Sequence, residues 1–302
     1  MKVLVIGNNG FIGSLLTQKL ISEHEVVGVD LCWFGQDLGY SINCDLGSLE
    51  QEFVQEFDAI VNLAAHSSVS MSTADPAGAV RNNVVNLNRL MQMVSSEQRL
   101  IYASSASIYS GLDAREDQCS YTMSNPYDTS KQIADDLARG YIANGKQIAG
   151  LRFGTVCGIS PNTRTDLAIN NMLLSATKVG KFWIADGHLH RSWLAVQDAV
   201  DAIATIVTSE TFHPGIYNLK SFDSTIADVA IEINRITGYE YVIKNSMHSD
   251  YDFTINDDLF RTTFDWHPNY DLNRLIKDID KGIGDIAECR RDSLGEGRKY
   301  DI

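Results

Sequence analysis

The chain has 302 residues, of which 44% are hydrophobic and 21% are charged. This is enough to bury a sizeable core, either as one large α/β domain or as a domain with a smaller lobe. With 25 basic and 39 acidic residues the net charge is −14, which argues against a nucleic acid or an anionic membrane as partner because their phosphates would be repelled.

Apolar runs alternate with amphipathic stretches through the first two-thirds of the chain. Strand-like runs are KVLVI (2–6), EVVGVD (25–30), AIVNLAA (59–65), RLIYASS (99–105) and IAGLRF (148–153). Helical periodicity occupies residues 12–23, 77–97 and 127–143. Strand, helix and strand at this spacing predict an α/β fold with a doubly wound parallel sheet of the Rossmann type, covered by helices on both faces.

The pattern loosens after about residue 155. Further helices are predicted at 166–178, 196–208, 224–237 and 271–283, with short strands near 182–184, 215–219 and 241–243. These elements predict a smaller C-terminal α/β lobe. The last residues, 291–302, have little apolar content and are expected to form a flexible tail.

The cysteine pattern argues against a disulfide framework and against a zinc site. The five cysteines are odd in number and contain no CxxC pair: Cys32, Cys44, Cys119, Cys157 and Cys289. MKVLVIGNNG is too interrupted by glycine for a signal peptide, and no apolar run approaches the roughly 20 residues of a membrane span. A cytoplasmic protein without a metal is expected.

A glycine-rich loop, GNNGFIG, follows the first strand-like run and opens the first helix. Gly7, Gly10 and Gly13 let the backbone turn tightly and approach a pyrophosphate, whose charge is favoured at a helix N-terminus. Asp30 ends the second strand, where a carboxylate can accept hydrogen bonds from both hydroxyls of an adenosine ribose and would repel a 2′-phosphate. The loop and Asp30 therefore indicate NAD rather than NADP.

The motifs together resemble the extended short-chain dehydrogenase/reductase family, in its nucleotide-sugar epimerase and dehydratase branch. The matching stretches, in family order, are GNNGFIG, Asp30, NLAAHSSV (62–69), NNVVN (82–86), YASSASIY (102–109), YDTSK (127–131), LRFGTVCG (151–158) and RSWLAVQDAVDAI (191–203). The resemblance implies an NAD-binding Rossmann domain at 1–155 with roughly 187–220, and a substrate-binding lobe at 156–186 and 221–290. It also implies a homodimer built on two helices from each chain.

The resemblance implies a catalytic group of Tyr127, Lys131 and Ser105. Tyr127 and Lys131 lie one helical turn apart, and a nearby ammonium favours the phenolate form of a tyrosine whose ordinary pKa is about 10. Tyr127 would remove the proton of a sugar hydroxyl, Lys131 would hold the nicotinamide ribose, and Ser105 would orient the substrate oxygen. Ser104 is the neighbour that could be mistaken for Ser105.

The residues expected to bind the cofactor follow the same motifs. They are Gly7, Gly10, Phe11, Ile12, Gly13, Asp30, Asp45, Leu46, Leu63, Ala64, Ala65, Asn83, Tyr127 and Lys131. Asp45 and Leu46 follow a short apolar stretch and are placed by the adenine.

The residues expected to bind the substrate are His66, Ser105, Ser107, Asn170, Asn171 and Arg191. Arg191 matches the arginine that holds the sugar-nucleotide pyrophosphate, since a guanidinium fork suits phosphate. Asn171 is favoured over Asn170 as an amide donor to the diphosphate. The family's second phosphate-binding arginine has no match in SMHSDYD (246–252), and Arg261 is a candidate replacement. Cys157 is interpreted as a packing residue.

Departures from the family pattern narrow the chemistry. Dehydratases carry an acidic pair directly after the active-site hydroxyl residue, where this chain has Ala106 and Ser107, so elimination of water would lack its proton donor. The leading hypothesis is an epimerase of a nucleotide sugar, acting at C4, that keeps its NAD. A reductase or dehydrogenase that exchanges NAD(P) is the second hypothesis, and a non-catalytic NAD-binding regulator is the third.

Overall fold

The computed structural model describes residues 1–33, 37–109, 111–117, 125–244 and 251–289. Cys119, the side chain of Cys289 and the tail at 291–302, on which the sequence carries expectations, lie outside this description. The strands, in chain order, are β1 (Lys2–Ile6), β2 (Glu25–Asp30), β3 (Ser41–Asn43), β4 (Ala59–Asn62), β5 (Arg99–Ser105), β6 (Gly111–Ala114), β7 (Ile148–Phe153), β8 (Thr155–Cys157), β9 (Lys181–Ile184), β10 (His190–Ala195), β11 (Gly215–Leu219), β12 (Phe222–Thr225), β13 (Glu240–Ile243) and β14 (Phe253–Ile255).

The helices are α1 (Phe11–Leu20), α2 (Gln51–Val54), α3 (Val69–Ala74), α4 (Pro76–Val80), α5 (Leu87–Met93), α6 (Pro126–Ala143), α7 (Ala168–Val179), α8 (Val196–Thr208), α9 (Ile226–Thr237), α10 (Asp258–Phe264) and α11 (Leu272–Cys289). Short 3-10 turns occupy Leu46–Ser48 and Ala106–Ile108, and a π-helical turn, Arg81–Asn86, joins α4 to α5. Among the residues described, none of these helices combines the length and the apolar character that crossing a membrane requires.

Seven strands form one parallel sheet in the order β11-β7-β5-β4-β1-β2-β3. The order reverses at β1, because the chain goes from β1 outward to β2 and β3 and then returns to β4 on the other side. In sheets of this kind ligands bind outside the carboxyl ends of the strands at such a reversal. The predicted parallel sheet is confirmed, and its carboxyl edge beside β1 is where a ligand site is expected.

Both faces of the sheet are buried, as the continuous apolar strands predict. Alternate residues of each strand point to opposite sides. On one side Val3 and Val5 pack with α1 and α8, and on the other side Leu4 and Ile6 pack with α5 and α6. The helices on the two faces therefore fix the sheet whose carboxyl edge carries the candidate site.

A separate apolar cluster forms the predicted smaller lobe. It joins side chains of α7, α9 and α11 to those of β8, β9 and β10, with Phe182 and Trp193 fully buried at its centre. A three-stranded sheet, β12-β10-β8, and a two-stranded sheet, β13-β9, line this cluster. The smaller α/β lobe is confirmed as part of the fold, whereas its division from an NAD-binding domain at the stated boundaries stays a prediction.

Two predicted elements differ from the structure near the site. The helix expected at 77–97 is split by the π-helical turn, where the buried amide of Asn83 donates to the His66 carbonyl at 3.1 Å and to the Ser130 hydroxyl at 2.9 Å. The strand expected at 59–65 ends at Asn62, because the chain then turns over Gly7. Long-range contacts, which periodicity does not report, cause both differences.

A buried ion pair anchors α6 to the sheet. The Arg152 side chain on β7 donates to Asp135 on α6 over 2.7 Å, and both side chains are fully buried. The Tyr102 hydroxyl on β5 donates to the other carboxylate oxygen of Asp135 at 2.7 Å, and Arg152 also donates to the Tyr109 hydroxyl. One carboxylate thereby fixes α6 against two adjacent strands.

We expect Asp135→Asn to lower the free energy of unfolding by about 3–5 kcal/mol, because the Arg152 guanidinium would stay buried without a counter-charge. Urea denaturation measures this cost. Asp136→Asn, one residue along the same helix, is the matched control. Asp136 pairs with Arg139 at the surface over 2.8 Å, so its loss should cost less than about 1 kcal/mol. Equal costs for the two variants would show that the buried pair does not anchor α6.

Candidate active site

The glycine loop at the end of β1 has a shape that only glycine allows. Gly7 has a φ of +82°, and a Cβ added to it would lie 2.7 Å from the Ala64 nitrogen. A Cβ added to Gly13 would lie 2.0 Å from the Gly7 carbonyl oxygen. Gly10 precedes α1 and donates its N–H to Gly7 at 3.1 Å. Because no side chain projects from these glycines, a ligand can approach the N-terminus of α1 closely.

The side chains after Gly10 face the core. Phe11 is buried in the apolar cluster with α8, and Ile12 packs against the same cluster. The backbone of these two residues is the part that the motif requires for contact with a cofactor.

The carboxylate of Asp30 is bonded to the glycine loop. It accepts from the backbone N–H of Asn9 at 3.0 Å and from that of Cys32 at 2.7 Å. Asn9 is buried, and its Nδ2 has no hydrogen-bond partner among the described residues, while its Oδ1 accepts from Leu38 N–H at 3.1 Å. A buried N–H without a partner is costly, and a ligand beside Asp30 would satisfy it.

Asp45 and Leu46 stand at the end of β3. The carboxylate of Asp45 accepts from Gly47 N–H at 2.6 Å and caps the 3-10 turn, and Leu46 is buried against the sheet. This explains both residues locally, and their contact with an adenine stays a prediction.

The loop after β4 lies directly over Gly7. Leu63 donates its N–H to Ile6 at 2.8 Å, and the backbones of Leu63 and Ala64 contact Gly7. Ala65 continues the loop, half-buried, towards His66. The three predicted cofactor residues thus flank the glycine loop.

The expectation that His66 binds the substrate stays a prediction. Its ring is buried, with Nε2 3.3 Å from Asp75 and Nδ1 3.1 Å from Asn82. Its backbone is bonded in both directions to the amide of Asn83. His66 and Asn83 therefore hold the loop and the π-helical turn together. The Asn83 side chain is hydrogen-bonded within the protein, and its expected contact with the cofactor stays a prediction.

The three predicted catalytic residues meet at the carboxyl end of β5. Asn125 caps the N-terminus of α6 and Pro126 starts it, so Tyr127 stands in the first turn. Lys131 is buried, donates to the Ala103 carbonyl at 2.8 Å and lies 5.7 Å from the centre of the Tyr127 ring. The Ser105 hydroxyl lies near Tyr127 and lowers its pKa. Ser105 rather than Ser104 is next to Tyr127, and the Ser104 hydroxyl is buried without a partner among the described residues.

Burial controls the protonation of this group in the protein by itself. Burial raises the pKa of Tyr127, opposed by the Ser105 hydroxyl and by the charge of Arg164. Burial also lowers the pKa of Lys131 to about 8. The neutral form of both groups is therefore favoured. The expected phenolate, which Lys131 and the positive nicotinamide ring of a bound cofactor would favour together, stays a prediction.

A buried carboxylate that sequence reasoning missed lies behind Ser107. Asp128 is fully buried and accepts from the Ser107 hydroxyl at 2.6 Å, from the Asn125 amide at 2.6 Å and from the Tyr251 hydroxyl at 2.9 Å. Burial raises its pKa, and these three donors oppose the rise. The signal was available, since Asp128 follows Tyr127 directly in YDTSK.

The candidate phosphate-binding arginine is half-buried at the start of β10. The Arg191 guanidinium lies 5.8 Å from the centre of the Tyr251 ring and 5.7 Å from that of Phe253. It donates to the His190 carbonyl at 2.9 Å. Burial lowers its pKa, with Asp252 and Tyr251 acting in the opposite direction. The aromatic rings fix the position of a cation at the edge of the smaller lobe.

The structure separates the two asparagines of α7. Asn170 is fully buried, and its amide is hydrogen-bonded to Gly158 and to the Arg164 carbonyl, which holds the loop after β8 in place. Its expected role in substrate binding stays a prediction. Asn171 is exposed and makes a single weak contact, 3.2 Å to the Thr165 carbonyl. Asn171 stays a prediction as the amide donor.

The suggested replacement arginine has another partner. Arg261 forms an ion pair over 3.0 Å with Asp257, one turn earlier and buried. This pairing compensates a buried carboxylate, and a role of Arg261 as the second phosphate ligand stays a prediction. Residues 246–250 of the SMHSDYD stretch lie outside the described residues.

Two further residues of the loop after β8 reach the site. Asn162 is buried and donates to the Asn9 carbonyl at 2.7 Å, which joins this loop to the glycine loop. Arg164 donates to the Ser67 carbonyl and hydroxyl at 3.2 Å each, and its charge lowers the pKa of Tyr127. No motif marked either residue, because both depend on how the loop folds back.

Other chemistry has little support in the described residues. Cys157 is fully buried, and burial raises its pKa to about 12, so it packs rather than reacts. In the part of the chain that the structure describes, no group of three or more His, Cys, Asp or Glu side chains could hold a metal ion.

Comparison with known proteins identifies a family and several relatives that the chain resembles. The NAD dependent epimerase/dehydratase family matches residues 3–219. Protein CapI of Staphylococcus aureus is 30% identical over 68% of this chain and 69% of its own. The UDP-glucose 4-epimerase of Lactobacillus helveticus is 26% identical over 90% and 93%. A dTDP-glucose 4,6-dehydratase of Neisseria meningitidis is 28% identical over 73% and 72%.

Solved structures share the fold. The UDP-glucuronic acid 4-epimerase of Bacillus cereus, in complex with UDP-glucuronic acid and NAD, has a TM-score of 0.83 at 23% identity and covers 95% of this chain and 100% of its own. MoeE5 in complex with UDP-glucose and NAD has a TM-score of 0.81 at 25% identity, covering 93% and 98%.

Proposed function

This chain belongs to the NAD-dependent epimerase/dehydratase family, and we propose that it epimerises a nucleotide sugar at C4 with a tightly held NAD. The observation that carries the proposal is the meeting of Ser105, Tyr127 and Lys131 at the carboxyl edge of the sheet that also carries the glycine loop. Inverting a secondary alcohol by oxidation and reduction needs a group that takes and returns the hydroxyl proton. Tyr127 has the chemistry for this task.

The residues present fit a dinucleotide. A Cβ at Gly7 or Gly13 would clash with the backbone of the loop. Because glycine has no Cβ, the loop can turn tightly and its backbone can approach a pyrophosphate. The carboxylate of Asp30 ends β2, where a ribose would be held, and it is bonded to the glycine loop through the backbone N–H of Asn9. When bound, NAD supplies reversible acceptance of a hydride from the carbon that carries the hydroxyl.

The protein's own groups then have separate tasks. Tyr127 removes and later returns the hydroxyl proton, and Ser105 orients the sugar oxygen beside it. Lys131 holds the nicotinamide ribose with its ammonium, whose pKa of about 8 keeps it mostly charged at neutral pH. Arg191 and Asn171 hold the diphosphate of the sugar nucleotide at the smaller lobe. MoeE5, solved with UDP-glucose and NAD, supports this class of substrate.

The contact between the two loops supports retention of the cofactor. Asn162 donates to the Asn9 carbonyl in the glycine loop at 2.7 Å, and both residues are buried. We infer that loops joined in this way slow the release of a dinucleotide bound at the glycine loop. An epimerase reuses one NAD in every cycle, whereas a dehydrogenase has to release it, so the contact favours the epimerase.

The experiment below distinguishes the epimerase from three alternatives. The first alternative is a dehydratase, because dTDP-glucose 4,6-dehydratases are among the relatives, although Ala106 and Ser107 take the places of the acidic pair. The second alternative is a reductase or dehydrogenase that exchanges NAD(P). The third is a non-catalytic NAD-binding regulator, against which the complete Ser105, Tyr127 and Lys131 group argues.

We expect protein purified without added cofactor to release close to one NAD per chain when denatured. Incubated with a panel of nucleotide sugars, it should convert one of them into a stereoisomer of the same mass without net NADH. Tyr127→Phe should slow this exchange by about 10²–10⁴-fold while keeping the bound NAD, because only the proton transfer is lost. Chromatography with mass spectrometry measures both quantities.

The other outcomes are specific. A product that has lost water would make the enzyme a dehydratase. Turnover only with added NAD(P)H, in protein that retains no dinucleotide, would make it a reductase. Retained NAD without turnover of any sugar would favour the regulator.

Asn162→Ala should weaken NAD retention about 10-fold, the effect of one buried hydrogen bond of 1–1.5 kcal/mol. The dissociation rate of NAD from the purified protein measures it. Asn234→Ala is the control, since Asn234 donates to the Tyr239 carbonyl at the exposed end of α9. Retention that Asn162→Ala does not change would remove the structural argument for a held cofactor.

We also propose a homodimer. Val80, Val85 and Ile133 expose apolar side chains on α4, the π-helical turn and α6, the region where the family resemblance predicts pairing. The mass in solution should be twice that of the 33.5 kDa chain, and Ile133→Glu should halve it. A monomeric wild-type protein would exclude the dimer.

A cytoplasmic location is proposed from the cysteine pattern alone.

A further inference from the structure

Two hydroxyl groups lie between Tyr127 and the buried carboxylate of Asp128. The Ser105 hydroxyl is close enough to Tyr127 to lower its pKa, and its Oγ lies 2.8 Å from the Oγ of Ser107. The Ser107 hydroxyl in turn donates to Oδ1 of Asp128 at 2.6 Å. Each member can accept a proton from one neighbour and donate one to the next, which is the requirement for a relay.

The surroundings of Asp128 are not those of an ordinary first-turn acid. Acids at this position usually interact with the helix dipole from the surface, whereas Asp128 is fully buried. Asn125 donates to Oδ2 at 2.6 Å, and its own Oδ1 accepts the backbone N–H of Asp128 at 3.0 Å. Tyr251 donates to the same Oδ2 at 2.9 Å. Oδ2 is therefore occupied by two donors, and Oδ1 faces the Ser107 hydroxyl.

We propose that Asp128 is a positioning residue that receives a proton from Tyr127 through Ser105 and Ser107 and returns it within the same turnover. The proposal rests on the proposed function, since it concerns the proton that epimerisation removes and restores. It adds a group outside the Ser105, Tyr127 and Lys131 set.

The transfer balances without any co-reactant. The phenol proton of Tyr127 moves to Ser105, that of Ser105 to Ser107 and that of Ser107 to Oδ1 of Asp128. Three O–H bonds break and three form, and the negative charge moves from the carboxylate to the phenolate. Tyr127 then takes the proton of the sugar hydroxyl. The reverse sequence restores the carboxylate when the sugar is reduced again.

Burial suits this use of Asp128. The proton has no direct path to solvent from a fully buried carboxylate, so it stays available for the return step. Burial raises the pKa of Asp128, which reduces the difference between its pKa and that of Tyr127. The titratable groups that face it are Tyr251, which donates to it, and Tyr127, whose pKa its charge raises. Two nearby cations contact the rings of these tyrosines rather than Asp128: Arg191 packs on the Tyr251 ring and Lys131 on the Tyr127 ring.

Asp128→Asn is the main test because its neighbours fix how the new amide sits. The NH₂ group of Asn125, which faces Oδ2, can only donate, so the oxygen of the introduced amide takes the Oδ2 place and its own NH₂ turns to Ser107. The chain then cannot accept a proton. We expect kcat for stereoisomer exchange to fall about 10–100-fold with KM changed less than about 2-fold. The fall of wild-type kcat towards acid pH, where Asp128 becomes protonated, should disappear.

Ser107→Ala separates the relay from a structural role. The double variant combines Ser107→Ala with Asp128→Asn. If Asp128 acts through Ser107, its kcat should match that of Ser107→Ala alone within about 2-fold, because the change at Asp128 removes nothing more. Effects that multiply, or a rise in KM with a fall in thermal stability, would mean that Asp128 only holds Asn125 and Tyr251, and the relay would be overturned. Asp136→Asn on the same helix controls for the loss of a charge.

A second readout needs no sugar. An infrared titration follows the C=O band of the protonated carboxyl that Asp128→Asn removes, and Ser107→Ala should raise its midpoint because a donor to the carboxylate is lost. A midpoint that Ser107→Ala leaves in place overturns the relay whether or not any sugar is turned over. A shifted midpoint in a protein without exchange would support the chain of contacts and overturn the proposed function instead.

Discussion

The buried ion pair between Arg152 and Asp135 is the contact on which the site depends. It ties α6 to β7 and, through Tyr102, to β5, in a place where neither charge meets water. Lys131 is one turn before Asp135 on the same helix, and the charge of Asp135 raises the pKa of Lys131 against the larger effect of burial. The contact that fixes the helix thus also sustains the charge of a neighbouring functional group. A buried pair of this kind is a weak source of stability but a strong constraint on geometry.

A second constraint comes from the parallel sheet. All of its strands end at the same edge, so residues far apart in sequence meet without long excursions of the chain. Asp30, Ala64 and Ser105 follow or end β2, β4 and β5, and each contacts the glycine loop or the start of α6. The loop after β8 closes this edge through Asn162. The strand order therefore decides which side chains can act together.

Much of this could be predicted from the sequence, and the failures have a common cause. Strands β1, β2, β5, β7 and β11 match the predicted runs, because buried parallel strands are continuously apolar. Ser105, Tyr127 and Lys131 were brought together as expected, since motifs encode local spacing. The protein partners of His66, Asn83, Asn170 and Arg261 were not predicted, because each partner lies outside the motif that marked the residue. The binding roles of these four residues stay predictions. Short strands such as β8 and β14 carry too few residues for a periodicity to show.

Asp128 shows how a site can contain an acid where its motif has none. The sequence after Ser105 reads Ala106-Ser107, which argued against a proton donor at that point, yet Ser107 is bonded to a carboxylate that arrives from α6. The acid is set one hydroxyl away from the substrate side, buried and held by Asn125 and Tyr251. A direct acid could protonate a leaving hydroxyl, whereas an acid behind Ser107 can act only through Ser107. This arrangement suits a reaction that has to give back the proton it takes.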